Sequence, residues 1–294
     1  MAQVDVVPNR ATISFANYVT TATSVLNVTS EQALYPAVNL LDEYRSTRWR
    51  SVAGTTATGG AQVLVTFQLA SPLLPTVVGM VNGNFTSSTA PGLTWKLVAS
   101  DDSAITLNPV TYQFLCYPQS STNRTNRFYL GTPAAGTAHA ARYWTLAFLP
   151  GTASGFSPYT IDNNDTFFEI GTFWLGSYTE IPLEFTTRIR QIPQSKSDKS
   201  WAGTRYDDVL PAYHEIEVNL ANLDETAAYA LRTSIDTSGG NKHLLLDLFG
   251  NATTSTKKAH GTFYGTIDPK SMEVVSIRTN NLLDMKFTLR ESAF

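Results

Sequence analysis

Side chains able to do chemistry are few in this 294-residue sequence, and their spacing fits no catalytic or metal site. The four histidines are scattered, so each is expected to be a surface residue or a hydrogen-bonded core residue; they are His139, His214, His243 and His260. Cys116 stands alone, which excludes an intrachain disulfide and a multi-cysteine zinc site. The glycines of residues 54–60 lack the lysine of a phosphate-binding loop. We therefore predict a protein that is not an enzyme and has neither a cofactor nor a bound metal.

One acidic stretch has two interpretations. Asp162, Asn163, Asn164 and Asp165 carry the oxygen atoms that Ca²⁺ prefers as ligands. The same residue types also form turns, in which Asp and Asn side chains bond to their own backbone. The sequence favours the turn, and no metal is predicted there.

The aromatic residues divide into two groups. Four tryptophans lie in apolar, strand-like segments and are predicted to be core residues: Trp49, Trp95, Trp144 and Trp174. Trp201 differs, because it lies in the long polar stretch of residues 193–212 beside Arg205 and Tyr206. Tryptophan, tyrosine and arginine are the residue types that anchor protein interfaces. We predict that Trp201, Arg205 and Tyr206 form an oligomer contact; the alternative is a loop tryptophan packed on its own domain.

Composition limits the classes of protein that this chain represents. Hydrophobic residues make up 43% and charged residues 15%, which is typical of a packed globular chain. The net charge of −3 argues against a nucleic-acid contact. No apolar run reaches the ~20 residues that cross a bilayer, and the first residues lack the pattern of a secretion signal. We expect no membrane insertion and a protein made in a reducing cytosol.

Hydrophobic periodicity predicts a mainly β fold in two domains, residues 1–178 and 180–294. The first half alternates apolar and polar residues in short segments separated by turn residues, which favours a jelly-roll β-sandwich. The second half is also strand-rich and is predicted to be a C-terminal β-sandwich with one flanking helix over Asn222–Asp236. Asn222 and Glu225 fit a capping box, and Leu223, Ala227 and Leu231 share the predicted packing face.

Several motifs in the first domain resemble the discoidin family of galactose-binding-like sandwiches. The segment from Pro36 to Ser51 (PAVNLLDEYRSTRWRS) resembles the family's opening, and the later motifs follow in the family's order: Val63–Leu69, Thr76–Asn84, Trp95–Asp102, Ala141–Trp144 and Phe168–Gly176. Gln68 stands where the family has an acidic residue. The resemblance covers about residues 20–178 and implies the fold; the family's sugar and lipid contacts lie in its variable loops.

The second domain resembles structural proteins of tailed bacteriophages. The similarity is in the order of elements after the segment Arg205–Pro211: strand, helix, Gly239-Gly240 and strand, as in ring-forming tail-tube and distal tail proteins. Those proteins place the ring domain first, and here the order is reversed. The resemblance implies a virion structural protein at the tail tip, assembled in the host bacterial cytoplasm. Its implied partners are further copies in a ring, with a hexamer as the candidate stoichiometry, and other phage tail proteins.

Two other functions compete with this interpretation. A carbohydrate-binding module that recognises a host surface would need exposed aromatic residues in its loops, for which Phe85 and Tyr159 are the candidates. A hydrolase with an accessory sandwich is disfavoured, because the second domain lacks a paired-carboxylate constellation.

Overall fold

The fold is that of a computed structural model. It describes residues 10–20, 24–43, 47–53, 62–86, 94–115, 125–129, 137–148, 160–161, 166–182, 187–193, 196–199, 205–208, 212–238, 242–249, 261–278 and 282–292.

The elements are short strands with a single α-helix among the described residues. The first thirteen strands are β1 (Arg10–Ser14), β2 (Ser24–Leu26), β3 (Trp49–Arg50), β4 (Val63–Leu73), β5 (Val77–Val81), β6 (Phe85–Thr86), β7 (Thr94–Ser100), β8 (Val110–Leu115), β9 (Thr125–Tyr129), β10 (Ala141–Phe148), β11 (Thr160–Ile161), β12 (Glu169–Ile170) and β13 (Thr172–Gly176). The others are β14 (Thr179–Pro182), β15 (Arg188–Ile192), β16 (Lys196–Lys199), β17 (Arg205–Asp208), β18 (Tyr213–Asp224), α1 (Glu225–Ser238), β19 (His243–Asp247), β20 (Thr262–Ile267), β21 (Glu273–Arg278) and β22 (Leu282–Glu291). Short 3-10 turns span Ala37–Leu41 and Pro269–Ser271.

Strands β2 to β13 form a sandwich. One sheet has the order β2-β4-β10-β7-β8 and the other has the order β13-β5-β9, with all pairs antiparallel. The predicted alternation in β4 is confirmed, because Val63, Val65, Phe67 and Leu69 are buried in the core. Inner residues of the three-stranded sheet, such as Phe173, close this core from the other side, and Phe173 stacks on Phe67 at 5.3 Å.

The second unit is an eight-stranded sheet, called here the second sheet. Its order is β14-β1-β19-β20-β22-β18-β15, and β21 pairs with β22. Helix α1 follows β18 directly and packs Ala228, Leu231 and Ile235 on the apolar face of this sheet. The predicted mainly β fold, a sandwich followed by a β unit with one flanking helix, is confirmed.

The helix begins later than its predicted start, and its cap is a different residue. Asn222 belongs to the end of β18, where its φ of 56° is left-handed. Asp224 caps α1 instead: its Oδ1 accepts a hydrogen bond from the Ala227 amide at 2.7 Å. The buried face of α1 consists of Ala228, Leu231 and Ile235. Leu231 belongs to the predicted packing face, whereas Ala227 is only half-buried.

Strand β1 lies in the second sheet, although the predicted boundary placed residues 1–178 together. It pairs with β14 through Ile13 and Thr179, and with β19 through Ile13 and Leu246. The sandwich is therefore inserted between two neighbouring strands, β1 and β14. Asn17 ties the two connections together, because its side chain bonds to backbone atoms of Phe173 and Leu175. The division into two separately folding domains stays a prediction.

Residues 193–212 are not a continuous polar loop as predicted. Strands β16 and β17 pair antiparallel within this stretch, from Lys196 opposite Asp208 to Lys199 opposite Arg205. They form a separate two-stranded sheet, called here the arm, which lies in sequence between the paired strands β15 and β18.

The sandwich and the second sheet share a buried contact. Trp174 and Val77, on the outer face of the sandwich's three-stranded sheet, pack against Leu245 and Tyr264 of the second sheet. The Trp174 indole N–H donates to the Ser14 hydroxyl at 2.9 Å, and its ring lies 5.9 Å from that of Tyr264. The four predicted core tryptophans are all fully buried, but Trp174 is buried between the two units rather than inside the sandwich.

Candidate functional site

Most of the predicted contact and ligand residues lie outside the side chains that the structure describes. Trp201 lies outside the described residues, between β16 and β17, and Arg205 and Tyr206 are described only as backbone positions of β17. The stretch 162–165 and Tyr159 also lie outside, and Phe85 is described only as a position in β6.

Histidines with described side chains each lie near a carboxylate. His214 Nδ1 is 2.6 Å from Glu291, His243 Nδ1 is 3.6 Å from Glu43, and His139 Nε2 is 3.4 Å from Asp101; His260 is outside the described residues. Hydrogen bonding to His243 lowers the pKa of Glu43 below its usual value, against the opposing effect of burial. The described residues contain no group of three His, Cys, Asp or Glu that would hold a metal ion.

A cluster of charged and aromatic side chains lies instead at one end of the sandwich. Strands β4 and β7 begin at this end and β10 ends there, since Phe148 pairs with both Val63 and Trp95. The rings of Trp49 and Phe168 stack on Phe148 at 5.9 and 4.8 Å. These contacts bring β3, β12 and the residues beside them to the same end, where connections between strands converge.

Glu169 is the centre of this cluster. Its carboxylate, 6% exposed, accepts a hydrogen bond from Arg48 Nη1 at 2.7 Å and another from Arg50 Nε. Arg50 and Glu169 are direct partners in the pairing of β3 with β12. Trp49, between the two arginines, is fully buried, because neighbouring residues of a strand point to opposite faces. The buried carboxylate is thus compensated by two arginines, and the group has a surplus positive charge.

Two aromatic rings hold Arg50 in place. The guanidinium carbon of Arg50 lies 4.1 Å from the ring centre of Tyr35 and 5.0 Å from that of Phe167. Both distances are in the range of cation–π contacts. The Tyr35 carbonyl also accepts the Arg50 amide. Tyr35, Arg48, Arg50, Phe167 and Glu169 are called here the Arg50 site.

Hydrogen bonds to the backbone fix the elements that carry the Arg50 site. The Asn84 side chain accepts the Glu169 amide at 2.8 Å and donates to the Phe167 carbonyl at 2.9 Å. On the other side of β3, the Gln32 side chain donates to the Ser51 carbonyl at 2.9 Å. Each of these buried or half-buried polar groups therefore has a defined partner, which makes the site rigid.

Apolar side chains flank the Arg50 site on the surface. Leu34, next to Tyr35, is 84% exposed, and Val52, two residues after Arg50, is 49% exposed. The Val52 amide donates to Ser30 Oγ at 2.9 Å, so that this segment lies against residues 30–35. The site therefore offers a fixed cation, half-buried rings and exposed apolar groups together, a combination typical of binding surfaces.

A cleft lies beside α1, away from the Arg50 site. This cleft has a volume of about 320 Å³ between α1, β14 and the end of β18, with Arg10 and Glu180 at 3.7 Å on one wall. Its helix wall consists of Ala227, Ala230, Leu231 and Ser234. Thr179, Asn222 and Asp224 add polar groups to the lining.

The Arg50 site is not among the sites predicted from the sequence, although its residues lie in motifs that the sequence shows. Arg48, Trp49 and Arg50 belong to the segment that carries the discoidin resemblance, and Glu169 belongs to its last motif. Arg48 and Glu169 are 121 positions apart in the sequence, which hides their proximity. Only the pairing of β3 with β12 brings them together.

Comparisons with known proteins give structural similarity only. The chain matches no family model and no curated protein. A chitosan-binding module from a chitosanase/glucanase of Paenibacillus sp. IK-5 has 16% identity and a TM-score of 0.34, covering 54% of this chain and 98% of that chain. The family 32 carbohydrate-binding module of Clostridium perfringens NanJ, in complex with galactose, has 12% identity and a TM-score of 0.34, covering 57% and 99%.

A third neighbour is of another functional kind. Reduced XRCC1, in a complex with the DNA polymerase β catalytic domain, has 14% identity and a TM-score of 0.37, covering 53% of this chain and 97% of that chain. At these TM-scores and identities, neither the ligands nor the partners of the neighbours transfer to this chain. None of the three is a phage tail protein.

Proposed function

We propose that this chain is a non-catalytic carbohydrate-binding protein whose sandwich recognises a glycan through the Arg50 site. The observation that carries this proposal is the rigid arrangement of Arg50 between Tyr35 and Phe167, above the buried Glu169. Sugars offer hydroxyl groups to hydrogen-bonding side chains and C–H faces to aromatic or apolar side chains. The Arg50 site has both kinds of group at a sandwich end.

Glycan binding by the full chain tests this proposal. We expect immobilised glycans of bacterial surfaces, or galactose-type oligosaccharides, to retain the wild-type protein. Tyr35→Ala should reduce retention, because it removes one of the two rings that position Arg50. Tyr229→Ala is the matched control, since Tyr229 is 55% exposed on α1, in the second unit. Equal retention of both variants and the wild type would remove the Arg50 site from the proposal.

A second candidate function is that of a structural component of a bacteriophage virion, a ring-forming distal tail or baseplate protein at the tail tip. The arm favours it, because β16 and β17 form a two-stranded ribbon that is separate from the second sheet. Ring closure needs a contact between two different patches of neighbouring copies, and in this proposal the ribbon supplies one of the two patches. In this proposal the virion is the location of the protein, and copies of itself and other tail proteins are its partners.

Size-exclusion chromatography with light scattering tests the second candidate. We expect the full chain to form a ring or a concentration-dependent oligomer. Trp201→Ala combined with Tyr206→Ala should weaken this assembly without lowering the melting temperature of the monomer. A wild-type protein that stays monomeric at all concentrations, or a double variant that assembles normally, contradicts the assignment of the contact to Trp201, Arg205 and Tyr206.

A further inference from the structure

We propose that the Arg50 site selects acidic sugars and binds the carboxylate of a uronic- or sialic-acid residue. This inference rests on the proposed carbohydrate-binding function and names the class of glycan. It follows from the charge, the geometry and the surroundings of Arg48 and Arg50.

The charges at the site do not cancel. Arg48 and Arg50 contribute two positive charges, and Glu169 contributes one negative charge. The Glu31 carboxylate is engaged elsewhere: it accepts the Ala37 amide at 2.8 Å, where the 3-10 turn begins, and among the described residues it forms no ion pair with Arg48 or Arg50. An anionic ligand would restore the balance at the pair of arginines, whose side chains are 32% and 25% exposed.

The guanidinium groups retain donors for a ligand. Each guanidinium has five N–H donors in a planar fork. Within the described part of the chain, Glu169 is the sole side-chain acceptor of both Arg48 and Arg50, and it takes the Arg50 Nε–H and an Arg48 Nη1–H. Among the described residues, no acceptor contacts the Nη groups of Arg50, and a ligand carboxylate matches the spacing of two guanidinium N–H donors. The rings of Tyr35 and Phe167 fix the guanidinium, which reduces the entropy lost on binding.

Apolar surroundings indicate a sugar acid rather than a free anion. A guanidinium binds carboxylates and phosphates of any origin, so charge alone does not specify the ligand. Leu34 and Val52 are exposed on the segments that carry Tyr35 and Arg50. A pyranose ring that bears a carboxylate presents C–H groups to such side chains while its carboxylate pairs with the arginines. Free acetate or phosphate gains nothing from them.

Calorimetric titration of the full chain tests the inference with three related ligands. They are a galacturonic-acid trisaccharide, its methyl ester and the corresponding neutral galactose trisaccharide. We expect the acid to bind at least about tenfold more tightly than the ester, because a charge-assisted bidentate pair is lost on esterification. Rising salt should weaken binding of the acid and leave the neutral trisaccharide nearly unaffected.

Variants assign the effect to the arginines. Arg50→Lys keeps the charge but loses the planar fork, so it should weaken binding of the acid about tenfold and that of the neutral trisaccharide less than about twofold. Arg232→Lys on α1 is the control and should bind like the wild type. If Arg50→Lys does not fold, Arg48→Lys replaces it with the same expected direction, and the ester and salt comparisons on the wild type decide the outcome.

The possible results separate the two proposals. Equal affinity for acid, ester and neutral sugar overturns the acidic selectivity and leaves carbohydrate binding intact. No binding of any of the three, together with no retention by other glycans, overturns both. Acetate or phosphate binding as tightly as the galacturonic acid shows a general anion site and overturns the sugar-acid assignment.

Discussion

At the scale of single residues, the sandwich contains several buried polar groups with defined partners, among them Thr66, Asn84 and Glu169. Glu169 is the most demanding of these, because an ionised carboxylate out of water is stable only when it is paired and hydrogen-bonded. Arg48 and Arg50 supply that compensation, and the Asn84 side chain holds the Glu169 amide. A binding site built on such a pair combines a structural and a recognition role.

Removing the charge of Glu169 should destabilise the protein. Glu169→Gln breaks two charge-assisted hydrogen bonds in a nearly buried position, and we expect it to lower the free energy of unfolding by about 2 kcal/mol, less than for a fully buried pair because both arginines are partly exposed. Urea denaturation measures this change. Glu217→Gln is the control: Glu217 pairs with Lys286 at 2.7 Å on the surface, where such a loss costs under ~1 kcal/mol. Equal effects of the two variants would contradict the central role of Glu169.

Asp102 makes the stability of the loop between β7 and β8 dependent on pH. Its carboxylate accepts hydrogen bonds from the Thr106 hydroxyl, the Leu107 amide and Ser100 Oγ, which together hold its pKa well below the usual range. A depressed folded-state pKa stabilises the fold above the unfolded-state pKa of about 3.9, and this contribution is lost as the pH falls through the folded-state pKa.

Asp102→Asn should therefore lower the melting temperature at pH 7. Its difference from the wild type should narrow as the pH falls below about 4, where the wild type begins to lose the same contribution. Melting curves between pH 7 and pH 2 measure the effect. A difference that stays constant over this range would show that the Asp102 charge does not stabilise the loop.

At the scale of elements, α1 is attached to the second sheet by one apolar face. Its buried residues Ala228, Leu231 and Ile235 recur every three or four positions, as in an amphipathic helix. Tyr229 and Ala230, on the other faces, are exposed. The sheet beneath is formed by strands that are distant in sequence. The position of the helix therefore depends on long-range packing more than on contacts with its neighbours in the sequence.

Leu231→Ala should lower the free energy of unfolding by about 3 kcal/mol, as is usual for a buried leucine truncated in a packed core. Tyr229→Ala removes a larger side chain from the solvent-exposed face and should change stability by less than ~0.5 kcal/mol. Urea denaturation compares the two variants. A Leu231→Ala variant as stable as the wild type would contradict the packing of α1 on the second sheet.

Local patterns predicted the strands better than their partners. The alternation in β4 and the apolar run of β5 identify buried strands, because burial on one or both faces leaves a period in the sequence. The helix cap was misplaced, because Asn222 and Asp224 are both capping residue types and only the tertiary pairing of β18 with β22 extends the strand through Asp224. The pairing of β3 with β12, which creates the Arg50 site, is a long-range contact that no local pattern encodes.

At the scale of the whole molecule, the chain crosses between the two units twice. It leaves the second sheet after β1 and returns at β14, and these two strands are hydrogen-bonded neighbours. The two ends of an inserted domain must lie close together. Folded domains commonly have such close ends, and for this reason insertions of this kind are tolerated. The predicted boundary near residues 178–182 marks the second crossing and did not include the first, because β1 is a short strand far in sequence from its partners.

The contact between the units should couple their unfolding. Trp174→Ala removes a fully buried side chain that packs on Tyr264 and bonds to Ser14, and we expect it to cost about 3–5 kcal/mol. In calorimetry the variant should unfold in two separate transitions, where the wild type gives one. Ser14→Ala removes only the hydrogen bond partner and should cost about 1–2 kcal/mol with a single transition. Two transitions already in the wild type would contradict this coupling.

The central claim is that the Arg50 end of the sandwich is the ligand-binding surface. Hydrogen–deuterium exchange of the full chain, with and without a saturating galacturonic-acid trisaccharide, tests it most directly. We predict slower exchange on ligand binding in residues 30–36, 48–53 and 166–170, and unchanged exchange in α1 and in β15 to β18. Protection confined to the arm or to the cleft beside α1, or no protection anywhere, would contradict the claim.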